Sequence, residues 1–417
     1  MSKLKIAIIG SGISGLSAAW LLSNHAEVCI FEKNNYLGGH TNTITIKHEC
    51  QKKIDVDTGF IVFNRTNYPN FSNFLDYLGV KTYKSDMSFS ASINNNTLEY
   101  SGKSLKTIFA EKKNILNLSF WKMLFDIVKF FNNSERDIPK YIDKTIEDYL
   151  IDKKYSKEFR THFLYPMAAS IWSTKPRDIK NYPHESFVNF FKNHGLLKFF
   201  KRPQWETING GSRNYIQKII SENKFKYYLN EMVLSIQKKK KYIELETKNQ
   251  NFRFDHVIFA NHADETLNIL KKVNLSDKKY LSEIKYQKNT AFLHSDKNLM
   301  PKNFDVWSSW NYISSDKNNL CVTYWMNLLQ NLNTKENIFV TLNPTVHPKK
   351  EKTFRIIHYS HPKFDIKAIK AQKYINNNSE NIWFCGAYLG YGFHEDGINS
   401  GLKVAEEILG FKRPWEK

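Results

Sequence analysis

A glycine-rich turn near the start of the sequence has the spacing of a dinucleotide-binding loop. Gly10, Gly12 and Gly15 follow a short apolar run and lead into an apolar helical pattern at Ile13–Ser23. In such a G-x-G-x-x-G loop the first glycine allows a tight turn, and the second lets the backbone approach a pyrophosphate. The third lets the helix pack on the strand, and Ser14 lies at the helix N-terminus that faces the anion. The spacing predicts a dinucleotide pyrophosphate site.

A carboxylate at the expected distance supports this prediction. Glu32 ends the second apolar run, Val28–Phe31, about 20 residues after the glycine turn, where a ribose-binding carboxylate is expected. There it hydrogen-bonds the 2′-hydroxyl of an adenosine ribose and repels a 2′-phosphate. The strand, helix and strand together predict a βαβ unit on a parallel sheet.

Two further glycine-rich segments indicate a long cofactor. Gly38 and Gly39 follow Glu32 closely, and another cluster extends from Gly386 to Gly401. A glycine turn that opens a helix offers backbone N–H groups to an anion or to a polarised ring edge. The two ends of the chain together fit an extended cofactor such as FAD, whereas a capped helix after a glycine turn is the simpler alternative.

The elements that must position these residues are interrupted by segments of a different character. Residues 104–205 contain aromatic amphipathic patterns, among them Phe120–Phe131 and Ile146–Phe163, which predict helices. Lys226–Glu246 predicts two strands around a lysine turn, and residues 286–360 are again strand-rich and aromatic. A second domain is therefore expected to be inserted in pieces into the dinucleotide-binding domain.

A set of motifs spread along nearly the whole chain is shared with a known family. These are the glycine turn, Glu32 and the stretches Gly38-Gly39, Asp57–Asn64, Tyr165–Ser173, Ser309–Tyr312, Tyr324–Asn327 and Gly386–Gly401. They resemble the flavin-dependent amine-oxidase-like superfamily, which includes phytoene desaturases and protoporphyrinogen oxidase. More narrowly, the sequence is similar to the bacterial NAD/FAD-binding oxidoreductases often encoded near cyclopropane-fatty-acid synthases.

The resemblance implies an α/β fold with a discontinuous, doubly wound Rossmann-type FAD domain and an inserted α+β substrate domain, as in the amine oxidases and glutathione reductase. The expected FAD domain comprises residues 1–85, 205–265 and 360–417. The expected substrate domain comprises residues 86–204 and 266–359, a helical insert and a sheet.

The resemblance also implies a cofactor contact for many residues. Glu32 would hold the adenosine ribose, and the backbone of Val233 would meet adenine. The residues implied at the phosphates are Gly10, Gly12, Ser14, Gly15, Gly38 and Gly39. Those implied along the ribityl chain and the isoalloxazine ring are Thr58, Gly59, Phe60, Gly386, Gly397 and Ile398. His40 is a departure, because many members of the superfamily have arginine after the glycine pair, so an arginine contact to the phosphates or the flavin is missing or moved.

Catalytic groups are fewer, since a flavin performs hydride chemistry itself and the protein orients the substrate and tunes the ring. The candidates are His394, Tyr388 and Tyr391. His394 is either an acid or base near neutral pH or a structural hydrogen-bonding residue. Asp396 is expected to cap the final helix. Arg65 is a candidate contact for an anionic substrate head, or else part of a surface salt bridge.

Aromatic residues outside the glycine segments predict an apolar substrate tunnel, with ordinary core packing as the alternative. The candidates are Trp172, Trp307, Trp310, Tyr324 and Trp325. The stretches Phe120–Phe131 and Leu196–Arg202 mix large apolar side chains with lysines, as helices on membrane surfaces do. They make peripheral contact with an anionic membrane a hypothesis.

Composition excludes several other classes of protein. The 417 residues carry a formal net charge of +20, but only nine of the 61 basic residues are arginine and none forms a phosphate-reading cluster, so no nucleic-acid partner is expected. Cys29, Cys50, Cys321 and Cys385 have no metal-ligand spacing, which predicts reduced thiols, no metal site and a cytoplasmic location. The sequence does not specify an oligomeric state.

The function that these features predict is that of an FAD-dependent oxidoreductase. It would transfer a hydride between flavin N5 and a hydrophobic substrate, such as a fatty acyl or lipid-linked unsaturated chain, in a desaturation, saturation or isomerisation. Two alternatives stay open at this point. One is a flavin amine oxidase, and the other is a flavin- or NAD-binding accessory protein, without turnover, of a lipid-modifying enzyme.

Overall fold

A computed structural model of the chain describes residues 3–47, 53–199, 202–222, 224–314, 320–375 and 381–416. Cys50 and part of the stretch Leu196–Arg202 lie outside these residues. The described residues form twenty strands and fourteen α-helices.

The strands are β1 (Lys5–Ile9), β2 (Glu27–Phe31), β3 (Thr43–Lys47), β4 (Lys53–Asp57), β5 (Phe63–Asn64), β6 (Thr82–Ser85), β7 (Phe89–Ile93), β8 (Leu98–Ser101), β9 (Trp205–Ile208), β10 (Lys226–Tyr228), β11 (Val233–Lys238), β12 (Ile243–Thr247), β13 (Asn251–Phe254), β14 (His256–Phe259), β15 (Tyr286–His294), β16 (Trp310–Ser314), β17 (Val322–Trp325), β18 (Phe339–Leu342), β19 (Thr353–Pro362) and β20 (Ile382–Phe384). The helices are α1 (Ile13–Leu22), α2 (Pro69–Tyr77), α3 (Leu105–Ile108), α4 (Leu118–Asn133), α5 (Ile146–Asp152), α6 (Tyr165–Trp172), α7 (Pro176–Ile179), α8 (His184–Asn193), α9 (Arg213–Glu222), α10 (Ala263–Ile269), α11 (Asp277–Leu281), α12 (Met326–Leu329), α13 (Ile366–Gln372) and α14 (His394–Leu409).

A five-stranded parallel sheet, in the order β10-β2-β1-β14-β20, carries the glycine turn. β1 is apolar on both faces, so its alternating side chains belong to two different cores. Ile6 and Ile8 pack with α1, α9 and α14 on one face. Ala7 and Ile9 pack with α10 and the antiparallel strands β11–β13 on the other. Because both faces are covered, the predicted βαβ opening and the doubly wound fold class are confirmed.

A seven-stranded sheet supplies the second layer, in the order β19-β15-β18-β17-β16-β7-β8. Its neighbouring pairs are antiparallel except β16 with β7. Helices α4 to α8 pack against this sheet and share one hydrophobic core with it. The strand-rich, aromatic character predicted for residues 286–360 is therefore confirmed, and β7 and β8 join the same sheet from much earlier in the chain.

The predicted long helix at Ile146–Phe163 is wrong. α5 ends at Asp152, Lys154 adopts a left-handed backbone with φ of +55°, and the chain resumes as a π-helical turn at Phe159–Leu164. The interruption lets the backbone N–H of Ser156 donate to Asp126 in α4 at 2.8 Å. This tertiary contact overrides a helical pattern that the sequence alone suggests.

Two other predicted elements occur as expected. The stretch Phe120–Phe131 lies inside α4, and β11 and β12 flank the lysine turn after residue 238. β10, the start of the predicted hairpin, instead pairs with β2 in the parallel sheet.

Candidate functional site

One cavity of about 780 Å³ connects the glycine turn with the helical insert. Its volume is that of a small-molecule or cofactor site. The wall at one end is formed by Gly10–Ser14, Glu32–Asn34, Gly38–His40, Glu231–Leu234 and Ala260–His262, and at the other by Met87, Ile171, Trp172, Phe190, Leu196, Trp205, Trp310 and Tyr324. Between them lie Gly59–Val62, His358–Pro362, Gly386–Tyr388 and Gly392–His394.

The glycine turn has the geometry of an anion-binding loop. Gly10 has φ of +102°, and a side chain there would lie 2.9 Å from the carbonyl oxygen of Ala260. A Cβ at Gly12 would meet no atom within 4 Å, so this backbone is open on the cavity side. No side chain caps the N-terminus of α1, which leaves its first N–H groups available for a ligand.

Glu32 is buried at the end of β2 and holds the turns on both sides of it. Its carboxylate accepts hydrogen bonds from the Ser11 N–H at 3.0 Å and the Ser11 hydroxyl at 2.6 Å. It also accepts from the backbone and side-chain nitrogens of Asn34 at 2.9 and 2.7 Å. Ser11 and Asn34 were not predicted as site residues, although each is close to a predicted residue in the sequence. Val233 lines the cavity nearby, at the start of β11.

His40 occupies the place of the missing arginine and is uncharged. Burial, followed by the neighbouring His361 and His262, lowers its pKa well below the ordinary value. Its ring stacks on Tyr359 at 4.8 Å between centroids and meets the edge of His361 at 5.1 Å. Its Nε2 is buried and has no hydrogen-bond partner. A neutral imidazole with an unpaired nitrogen beside the glycine pair fits a ligand that offers a hydrogen bond there.

The segment at Thr58, Gly59 and Phe60 forms the floor between the two ends. Gly59 and Phe60 line the cavity, whereas Thr58 lies behind them and shares a hydrogen bond of 2.9 Å with the hydroxyl of Tyr359. A side chain at Gly59 would lie 2.2 Å from the carbonyl oxygen of His40, so only glycine allows this approach.

Asp57, just before this segment, is a buried carboxylate that ties β4 to the loop before α9. It accepts hydrogen bonds from the N–H of Ser212 at 2.9 Å and from the hydroxyls of Thr43 and Ser212 at 2.5 and 2.8 Å. Burial raises its pKa from 3.8 to about 6 despite these bonds.

This raised pKa predicts a pH-dependent contribution to stability. A folded-state pKa above the unfolded value stabilises the fold at low pH, and the contribution is lost as pH rises through about 6. We expect the free energy of unfolding of the wild type to fall by about 2 kcal/mol, relative to Asp57→Asn, between pH 4 and pH 7. Urea unfolding at both pH values measures the difference. The stability of Asp55→Asn, in the same strand but partly exposed, should change with pH as that of the wild type does. If the stability of Asp57→Asn changed with pH in the same way, Asp57 would not be the group responsible.

Gly386 and Tyr388 line the cavity, but Gly397, Ile398 and Gly15 do not. A Cβ at Gly397 would lie 2.7 Å from the side chain of Ile13, and Ile398 is fully buried in the core shared by α1 and α14. In the structure they pack the final helix against α1, and their contact with the cofactor stays a prediction.

The three catalytic candidates differ in environment. His394 stacks on Phe60 at 3.7 Å, and its Nε2 shares a hydrogen bond of 2.8 Å with Tyr215, whose hydroxyl also meets Thr41. Burial lowers the pKa of His394 to about 3, so the ring is neutral at pH 7, which favours the structural alternative over an acid or base near neutrality. Tyr388 is buried with an unpartnered hydroxyl, and burial raises its pKa.

Tyr391 does not line the cavity, and its backbone N–H donates to Asp396 at 3.0 Å. Asp396 also accepts from the N–H of Phe393 at 2.9 Å, so it closes the first turn of α14 as predicted. Arg65 lies on the surface, where it pairs with Asp76 at 2.8 Å and with Glu206 at 3.0 Å. It is part of a surface salt bridge and not of the cavity.

The apolar end includes three of the five predicted tunnel residues, Trp172, Trp310 and Tyr324. Trp307 and Trp325 follow the alternative of core packing, because they pack with Met300 and Phe339 in a separate cluster. Ile171, Phe190 and Leu196 were missed, since single apolar residues give no signal in the sequence of facing a cavity. The carboxylates among the described wall residues, Glu32, Glu231 and Glu265, all stand near the glycine turn.

The cavity therefore has the room and the hydrogen-bonding groups that FAD requires. The open backbone at Gly12 would receive the pyrophosphate, Glu32 the ribose and the unpaired Nε2 of His40 a polar atom of the cofactor. The remaining, apolar end of the cavity is left for a substrate.

Comparisons with known proteins agree on the fold. An NAD(P)-binding Rossmann-like domain model matches residues 8–78, and no curated protein matches the sequence. A protein from an Exiguobacterium species, provisionally named a protoporphyrinogen oxidase, is 12% identical with a TM-score of 0.68 and covers 98% of this chain and 99% of its own. The cyclohexylamine oxidase from Brevibacterium oxydans is 14% identical with a TM-score of 0.67, over 98% and 99%. The CLA-producing fatty acid isomerase from P. acnes is 14% identical with a TM-score of 0.66, over 98% of both chains. The chain thus contains a Rossmann-like dinucleotide-binding domain and, over its whole length, has the fold of these proteins.

Proposed function

We propose that the protein is an FAD-dependent oxidoreductase whose substrate is a hydrophobic chain, fatty acyl or lipid-linked. The observation that carries this proposal is a continuous cavity that runs from the glycine turn to an aromatic, uncharged end in the helical insert. Under this proposal, FAD is bound by residues 1–85, 205–265 and 360–417. The substrate is bound by residues 86–204 and 266–359.

Bound FAD would supply hydride transfer at N5 for desaturation, saturation or isomerisation of a carbon–carbon bond. The chain's own residues have supporting tasks. Trp172, Phe190 and Leu196 hold an apolar chain and exclude water. His394 is neutral and hydrogen-bonded to Tyr215. It therefore positions the Tyr215 hydroxyl and does not act as a cationic acid at neutral pH.

Two observations favour a chain over an amine. The apolar end has no carboxylate among its described wall residues, so a cationic amine would find no counter-ion there. The resemblance to oxidoreductases encoded near cyclopropane-fatty-acid synthases points the same way, whereas the fold is shared with a fatty acid isomerase and with an amine oxidase alike. Amine oxidation is the second candidate, because Trp310 and Tyr324 pack edge to face at 4.8 Å in the cavity wall and aromatic faces attract cations.

The proposal is tested by the flavin spectrum of the purified protein under anaerobic conditions. We expect flavin absorbance as purified, and a change on mixing the oxidised form with a saturated acyl chain or the reduced form with an unsaturated one. Recovery of lipid with an isomerised double bond would support the proposal equally. A colourless protein contradicts the cofactor, and bleaching by cyclohexylamine without any lipid effect would replace the substrate class. The accessory role would be favoured if flavin is bound and neither substrate reacts.

A charge placed in the apolar end gives a residue-level test. Leu196→Asp should raise KM for the acyl chain at least about tenfold, because an ionised carboxylate would stand beside the hydrocarbon. Leu197→Asp is the matched control, since Leu197 is half-buried but does not line the cavity. The flavin content of both variants should stay unchanged, and equal KM values for the two would contradict the assignment of this end to the substrate.

A further inference from the structure

The helical insert carries an unusual concentration of exposed apolar side chains. Of the 21 large apolar or aromatic side chains exposed in the described part of the chain, seven lie between residues 105 and 128. These seven, called the apolar stripe below, are Leu105, Ile115, Leu116, Leu118, Trp121, Phe125 and Val128. Leu116 and Leu118 are 88% and 84% exposed and Phe125 is 69% exposed. Contiguous apolar surface of this kind marks an interaction site.

α4 is apolar on two opposite faces, and only one of them is used by the fold. Phe120, Met123, Ile127 and Phe130 point into the core shared with the seven-stranded sheet. The members of the apolar stripe on α4 recur every three or four residues on the other side, so they form one line along the helix. Core packing explains the first face, whereas on the second face Leu118, Phe125 and Val128 stay exposed in the described part of the chain.

The exposed side chains form a continuous surface. Trp121 lies 5.2 Å from Phe109 and 6.3 Å from Phe125 between ring centroids, which joins the segment before α4 to the helix itself. At the other end of α4, Phe131 lies 4.8 Å from Phe199, which is 52% exposed. Phe131 itself is buried, so this contact packs the exposed Phe199 against the core side of α4 and does not extend the apolar stripe.

Charge distinguishes among the possible occupants. Residues 105–133 contain five lysines against two carboxylates, and Lys106, Lys112 and Lys122 are exposed beside the apolar stripe. Of the two carboxylates, Asp126 is buried and Glu111 is paired with Lys113 at 3.3 Å. In a symmetric contact with a second copy of the chain, the lysines of the two copies would lie close together and repel each other. An anionic lipid surface accepts both the apolar side chains and the lysines.

We propose that the apolar stripe docks the protein on the surface of an anionic lipid bilayer. Within the described part of the chain, each helix is too short or too polar to span a bilayer, so the contact is peripheral. α4 lies along the interface with Leu118, Trp121 and Phe125 among the acyl chains and the exposed lysines among the headgroups. This inference does not depend on the proposed flavin chemistry.

Vesicle co-sedimentation of the full-length protein tests the inference. Phosphatidylcholine vesicles with phosphatidylglycerol should bind the wild type, and vesicles of phosphatidylcholine alone should bind it more weakly. Leu118→Glu combined with Phe125→Glu should lower the bound fraction at least about tenfold. Phe304→Glu combined with Val346→Glu is the matched control, because these side chains are similarly exposed, at 65% and 75%, outside the apolar stripe.

Two further measurements separate the contributions. Lys112→Gln combined with Lys122→Gln should weaken binding most at low salt, since charge attraction is screened as salt rises. Quenching of tryptophan fluorescence by brominated lipid should be reduced in Trp121→Phe, with the flavin content of every variant unchanged. The inference is overturned if the wild type ignores anionic vesicles, or if the glutamate pair in the apolar stripe binds as well as its control. A wild-type dimer that this pair dissociates without lipid would assign the surface to a second copy instead.

Discussion

Replacing Gly12 by alanine is expected to remove the flavin from the protein without unfolding it. Gly12 has φ of −63° and ψ of 177°, a backbone that alanine adopts freely, and a Cβ there meets no protein atom within 4 Å. The same Cβ would point from the turn into the space where a pyrophosphate must touch the backbone. We expect flavin affinity to fall at least about 100-fold, or about 3 kcal/mol, whereas unfolding changes by about 1 kcal/mol or less.

Gly15→Ala should instead act mainly on the stability of the fold. A Cβ at Gly15 would lie 2.1 Å from the carbonyl oxygen of Gly10, which is backbone and has no rotamer to escape to. α1 must then move away from β1, and we expect a loss of more than about 3 kcal/mol in the free energy of unfolding. The two neighbouring glycines therefore separate a requirement of the ligand from a requirement of packing.

Flavin content per chain and titration of the apoprotein with FAD measure cofactor binding, and urea unfolding measures the free energy of unfolding. Gly102→Ala is the control, because its Cβ also meets no atom within 4 Å but lies outside the cavity wall. It should keep both the flavin and the stability of the wild type. Full flavin occupancy in Gly12→Ala would show that no phosphate approaches this backbone.

The contrast between these glycines also shows why part of the fold could be predicted from the sequence. A G-x-G-x-x-G turn between two buried runs encodes its own geometry, since Gly10 and Gly15 are required by contacts within about 20 residues or with the adjacent strand. The βαβ opening and the parallel sheet are confirmed for this reason. Ile146–Phe163 failed because the break in its helical pattern is fixed by Asp126, a residue on another helix.

The same distinction holds in the candidate site. His40 was identified by its place after the glycine pair, but its neutral state depends on burial and on His262 and His361, more than 200 residues away. Trp310 and Trp325 are equally aromatic in the sequence, yet one faces the cavity and the other a separate cluster. Local spacing predicts which residues meet the phosphates, whereas the wall of the apolar end follows from tertiary packing that no local pattern records.

Arg413→Met is expected to destabilise the protein by about 3 kcal/mol, because it removes the buried guanidinium that neutralises Glu406, whose carboxylate keeps the Arg413 N–H at 2.9 Å and the Lys412 ammonium at 3.6 Å. Arg413 is 1% exposed and holds Glu406 through two hydrogen bonds, from Nε at 2.6 Å and from Nη2 at 3.0 Å. Its Nη1 donates to Asn70 at 2.7 Å and to Asn399 at 3.1 Å. One guanidinium thus joins the end of α14 to the start of α2.

Urea unfolding at neutral pH measures this loss, and two variants define its origin. Arg65→Met removes the two surface ion pairs with Asp76 and Glu206 and should cost about 1 kcal/mol or less, since water screens surface charges. Arg413→Met combined with Glu406→Met should recover most of the stability, because apolar side chains of similar size often replace a buried ion pair at little expense. If the double variant were as unstable as Arg413→Met alone, the loss would come from the bonds to Asn70 and Asn399, and the stranded charge of Glu406 would not be its cause.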